Sequence, residues 1–161
     1  MLSIGKRRAA PARVRMRDVS QSLPLALMRA REATMQYFRP HLRRLPVTEQ
    51  QWRVLRVLYS AGSIEVTALA HRAVLLGPSL TRILRDLERQ RLIVRRQGAG
   101  DRRRQVVMLT RRGVRLLARG AGESEAGYRR IAKLYGERRL KSLFKLLAEL
   151  EKVLEQDRRR G

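Results

Sequence analysis

The chain has no cysteine and only two histidines, His41 and His71, in 161 residues. The missing thiols exclude disulfides, thiolate metal sites and thiol-based redox sensing. No glycine-rich phosphate loop or paired-carboxylate motif accompanies the two histidines, so nothing marks an enzyme, a metal site or a bound cofactor. Acids are also scarce, with fourteen Asp and Glu against thirty-eight Lys and Arg, a formal charge of +24. That excess is far beyond what solubility requires and points to an anionic partner. No apolar run approaches the ~20 residues of a membrane span. Residues 1–17 lack the apolar core of a signal peptide, and a cytoplasmic protein with no membrane partner is expected.

What is present suffices for a core. Hydrophobic residues make up 43% of the chain, enough for one compact domain with helical extensions. The most informative stretch is residues 77–110, GPSLTRILRDLERQRLIVRRQGAGDRRRQVVMLT. Leu80, Ile83, Leu84 and Leu87 form one stripe of an amphipathic helix, with Pro78 in its first turn and Ser79 or a preceding residue as cap. Two short β-type runs follow, residues 92–94 and 106–109, separated by a polar turn. Between Gly77 and Gly113 the acids are Asp86, Glu88 and Asp101, against eleven arginines. Arginine presents a rigid fork of donors to phosphate and to the guanine edge, so a basic helix beside a basic hairpin tip fits a nucleic-acid reader.

Upstream, residues 1–21 read as a disordered basic arm, including Lys6, Arg7, Arg8, Arg13, Arg15 and Arg17. Residues 22–46 read as a first helix with the stripe Leu23, Leu27, Met28, Met35, Phe38, Leu42 and Leu45. Arg31 lies on that stripe and needs either an acid elsewhere in the domain or an anionic ligand. Thr48 and Gln51 spell a capping box for a second helix, with Gln51, Val54, Leu55 and Leu58 inward and Trp52 and Tyr59 along an adjacent edge. Gly62 ends it, residues 64–66 suit a short strand, and Thr67 opens a third helix with Leu69, Ala70 and Ala73 inward. Helix, strand, helix, turn, helix, hairpin is the order of a winged helix-turn-helix over residues 47–112.

Residues 113–157 read as closing helices, loosened at Gly120, Gly122 and Gly127, and residues 158–161 as a basic tail. Over residues 137–157 five basic and five acidic side chains cancel. Leu140, Leu143, Phe144, Leu147, Leu150 and Leu154 leave an apolar stripe for a second copy or for the first helix of the same chain. The fold expected is mainly α with a small β-hairpin wing, in a helical homodimer.

VTEQQWRVLRVL, ALAHRAVLLGPSLTRILRDLERQRLIVRR and DRRRQVVMLTRRG resemble the MarR family of bacterial transcriptional regulators. SLPLALMRAREATM resembles, more narrowly, its regulators of homoprotocatechuate degradation. The resemblance implies a homodimer built on the first and last helices, with Ser79, Thr81, Arg82 and Arg85 on the exposed face of the recognition helix. It implies that Asp101 orients Arg103 toward the minor groove; the flanking Arg102 and Arg104 make this wing more basic than the motif requires. Glycine at 77 departs from the family pattern by leaving the start of the recognition helix without a side chain.

It also implies a small phenolic or aromatic acid as effector, between the dimer body and the DNA-binding lobe. Arg31 would pair its carboxylate, Trp52 and Tyr59 would sandwich its ring, and His71 would supply a hydrogen bond. Trp52 and Tyr59 are more often plain core, and His71 suits a surface or cap. The function expected is a ligand-released repressor of aromatic-compound catabolism on a pseudo-palindromic operator. A sequence-tolerant, nucleoid-type DNA binder is the alternative that the charge allows.

Overall fold

The computed structural model describes residues 17–98 and 101–160, with backbone only for residues 101–104. Most of the basic arm therefore lies outside the described residues. Its last part, Val19–Gln21, is a single 3-10 turn capped by the Asp18 carboxylate, which accepts from the Ser20 amide at 2.8 Å. Among the described residues the order continues α1 (Leu23–Met35), α2 (Arg39–Leu42), α3 (Glu49–Ala61), β1 (Ser63–Glu65), α4 (Val66–Arg72), α5 (Gly77–Arg89), β2 (Ile93–Gly98), β3 (Asp101–Leu109), α6 (Arg111–Tyr135) and α7 (Glu137–Arg158). The chain divides into two compact units, Met1–Ala33 and Thr34–Gly161. No helix among the described residues is long and apolar enough to cross a membrane.

The single helix expected over residues 22–46 is two. Pro40 lacks the amide hydrogen that would continue the helical ladder back to Gln36, so α1 stops at Met35 and α2 restarts with the proline in its first turn. The stripe divides accordingly. None of α1 is buried, whereas Leu42 is buried and Met35, Phe38 and Leu45 pack against the core.

The capping box forms as expected. Thr48 Oγ1 accepts from the Gln51 amide at 3.2 Å, and the Gln51 side chain accepts from the Thr48 amide at 3.0 Å. Val54, Leu55 and Leu58 of α3, Leu69 of α4 and Leu80, Leu84 and Leu87 of α5 interlock as the buried core. Gly62 ends α3 at φ 74°, a conformation that favours glycine. The α4–α5 turn is tighter than its sequence suggests, because Val74 adopts φ 51°, where β-branched residues are rare. Amide bonds from Val74 to His71 and from Leu75 to Ala70, both 3.0 Å, hold it there.

The sheet is antiparallel in the order β1-β3-β2, so the wing hairpin is anchored by the strand preceding α4. Thr110 caps α6, its hydroxyl accepting from the Gly113 amide at 3.1 Å and donating to the Arg91 carbonyl at 2.7 Å. Gly120 and Gly127 do not loosen α6, which is one continuous helix. They let neighbours approach: a Cβ on Gly120 would lie 2.5 Å from the Trp52 ring, and one on Gly127 3.0 Å from Phe38. Gly136, at φ 94°, separates α6 from α7.

Candidate nucleic-acid interface and apolar cleft

Burial of Leu80, Ile83, Leu84 and Leu87 turns Ser79, Thr81, Arg82 and Arg85 to solvent. Ser79 is not the cap; α5 starts at Gly77 and its cap position is Leu76, which offers no side-chain bond. The Ser79 hydroxyl is thus not consumed by its own helix start. Thr81 Oγ1 donates to the Gly77 carbonyl at 3.0 Å, which leaves its lone pairs to accept.

The two acids of this helix are spoken for by other arginines. Arg89 pairs with Asp86 at 2.8 Å, and Arg95 of β2 donates through Nε to Glu88 at 3.0 Å and again through Nη2. Hydrogen bonds from Arg95 hold the Glu88 carboxyl below its usual range. This pair ties the recognition helix to the wing. Among the described residues Arg82 and Arg85 have no acidic partner, so their guanidinium forks are free for an external anion. Past an irregularity at Gln97/Gly98, β3 begins at Asp101. The side chains of Asp101, Arg102, Arg103 and Arg104 lie outside the described residues.

A second feature lies between α3 and α6. Trp52, Arg56 and Tyr59, at i, i+4 and i+7 on α3, face Val114, Leu117, Ala118 and Ala121 across a cleft of about 140 Å³. Trp52 is buried against Gly120, while Tyr59 is 64% exposed and is not core. Arg56 was not singled out by the sequence reading, although its spacing from Trp52 and Tyr59 puts the three on one helical stripe.

Behind Trp52 sits His41, 5% exposed, with the ring centroids 6.3 Å apart and edge-on. Its Nε2 has no hydrogen-bond partner. Desolvation, helped by the nearby Arg44 charge, lowers its pKa and keeps the ring neutral.

His71 does not join this cleft. The inward side of α4 is Leu69 and Ala73, which leaves His71 facing α7, where it contacts Glu155 at 2.9 Å. It lines a separate groove with Ala70, Leu75 and Leu154. Arg31 is exposed on α1 and pairs with its neighbour Glu32 at 2.8 Å.

The MarR family model matches residues 47–104, the span from the turn before α3 to the wing. Over 128 residues the chain is 41% identical to the homoprotocatechuate degradative operon repressor of Escherichia coli, covering 80% of this chain and 86% of that protein. The chain belongs to the MarR family. Its structure is likewise similar to solved MarR-type regulators. The crystal structure of NadR in complex with 4-hydroxyphenylacetate matches at TM-score 0.77 and 37% identity, covering 85% of this chain and 97% of that one. CouR bound to a 23-mer DNA duplex matches at TM-score 0.72 and 28% identity, covering 86% and 98%. The winged helix-turn-helix expected from the order of elements is therefore that of a MarR-family transcriptional regulator.

Proposed function

We propose that the protein is a dimeric repressor that binds a pseudo-palindromic operator and releases it when a small aromatic acid enters the α3–α6 cleft. The observation that carries this reading is the stripe Trp52, Arg56, Tyr59. It offers an indole and a phenol to flank a ring and a guanidinium to pair a carboxylate. Arg56 supplies within that cleft the cation that sequence reasoning sought at Arg31. NadR's complex with 4-hydroxyphenylacetate supports a phenolic acid, and the E. coli relative's name supports control of aromatic catabolism. A pyridine carboxylate has the same ring-plus-carboxylate chemistry.

Operator contact falls to Ser79, Thr81, Arg82 and Arg85, with Asp101 and the arginines at 102–104 on the wing. CouR's complex with a DNA duplex supports this assignment. Dimerisation falls to α7, which buries no residue in its own chain and exposes Leu143, Phe144, Leu147 and Leu154, together with the exposed Leu23, Leu27 and Met28 of α1. One cleft wall, α3, belongs to the DNA-binding lobe; the other, α6, leads into α7. A ligand wedged between them shifts the spacing of the two recognition helices if it binds one arrangement better by about 1–3 kcal/mol.

The test is a mobility-shift assay on the protein's own promoter with 4-hydroxyphenylacetate, hydroxybenzoates and pyridine carboxylates. Release is expected in the native protein and is abolished by Arg56→Ala, with operator affinity retained. Release that survives Arg56→Ala sinks the cleft assignment. The +24 charge favours, as a second reading, sequence-tolerant binding. A footprint separates the two: a discrete protected palindrome supports the repressor, diffuse protection the architectural binder.

A further inference from the structure

A different cleft, of about 370 Å³, lies at the opposite end of α5 from its reading residues. It is lined by Pro46, Gln90, Leu92, Leu116 and three arginines of α6, Arg112, Arg115 and Arg119. Gln90 caps the C-terminal end of α5. With 1.5 Å of rise per residue, it stands about 16 Å along the helix axis from Ser79 and about 8 Å from Arg85, so the cleft lies beyond the last of the α5 residues proposed to read DNA.

The arginines recur at i, i+3 and i+7, which places them on one side of α6 over about 10 Å. All three are exposed, and among the described residues none has an acidic partner. Glu123, one turn beyond Arg119, is taken by Arg44. No acid lines the cleft, so three like charges line one concavity with nothing among the described residues to neutralise them. Such a row opposes helix stability.

We propose that this cleft binds a small anion carrying two or three linked phosphate groups. Three guanidinium forks within reach of one concavity can together take the several charges of linked phosphates, each able to form a bidentate pair, whereas a single carboxylate would leave two of them unsatisfied. The apolar floor of Leu92, Pro46 and Leu116 excludes water from one side of the ion pairs, which strengthens them. A concave site of this volume suits a small molecule. The same chemistry is presented by inorganic polyphosphate and by a nucleoside triphosphate.

Calorimetric titration of the full-length protein with inorganic tripolyphosphate, and separately with ATP, at about 150 mM salt tests the proposal while screening long-range attraction. Saturable binding at one site per chain is expected. Arg115→Gln should weaken it about tenfold or more, roughly one lost charge-assisted contact. The double variant Arg138→Gln/Arg139→Gln, which removes more charge from exposed positions of α7, should leave it unchanged. ATP binding more tightly than tripolyphosphate assigns the site to a nucleotide, equal affinity to the phosphate chain alone. Absence of saturation, or equal loss in both variants, overturns the proposal. So does an Arg115→Gln variant that binds tripolyphosphate normally. Loss of random-sequence duplex binding without any tripolyphosphate binding also overturns it and makes the cleft part of the DNA surface.

Discussion

Helices α5 and α7 carry the same kind of apolar stripe and meet opposite fates. In α5, Leu80, Ile83, Leu84 and Leu87 are at most 7% exposed; in α7, Leu143, Phe144, Leu147 and Leu154 are 37–61% exposed. A period of 3.6 says only that a face requires cover, not where the cover comes from. For α5 the cover is local, supplied by α3, α4 and the sheet. For α7 the described residues of the chain bury none of it, and its balanced charges make it suitable for meeting a second copy, which the arginine-laden surface of α5 is not.

The contrast is sharpest under leucine truncation. Leu84→Ala should cost about 2–5 kcal/mol of folding stability, read by chemical denaturation, at any protein concentration. Leu147→Ala should instead shift a monomer–dimer equilibrium in sedimentation and lower stability only at low protein concentration. A concentration-independent loss at Leu147 would place the α7 stripe inside its own chain and erase the distinction.

A smaller effect comes from the outer face of α5. Arg82→Ala should lose about 1–3 kcal/mol of operator affinity with no change in melting temperature, since the side chain is exposed and lacks an acidic partner. A drop in melting temperature would show that Arg82 supports the fold.

The smallest concerns His41, a polar ring buried edge-on against Trp52. Leucine there removes an unsatisfied buried nitrogen and should stabilise the protein by about 1 kcal/mol. Because the folded pKa is lowered, the unfolded chain takes up the proton first. The native protein should then lose stability as pH falls from about 6.5 through the lowered folded value, and His41→Leu should remove that component. Thermal melts of both proteins across this range check the sign.

Much of this architecture is legible in the residues themselves. The α5 stripe, the capping box and the change from helical to alternating period are local signals, and each formed as its chemistry dictates. The break at Pro40 is equally local but was masked by leucines and phenylalanine that keep the stripe going on both sides. The glycines of α6 misled for a different reason. A glycine in a helix reads as weakness until its neighbour is known, and here Trp52 and Phe38 fill the space that a Cβ would occupy. Arg56 went unnoticed because one arginine among thirty-eight basic residues carries little signal. Its place between two aromatic rings matters only once α6 closes the other side of the cleft. His71 was misplaced because spacing along α4 identifies an outward face without naming what that face meets.

Strand β1 has a consequence for how the protein is made. Ser63 pairs with Met108 and Glu65 with Val106, so β1 waits for a partner synthesised about forty residues later. Every α5 residue proposed to read DNA is therefore enclosed in a loop fastened at its two ends by one short ladder. During vectorial synthesis α4 and α5 leave the ribosome before that clasp can close, and loop-closure entropy is charged to the final step. The DNA-binding lobe should thus acquire its final shape only once β3 has emerged, and a nascent chain arrested before Val106 should hold an α5 braced by α3 and α4 but not by the sheet.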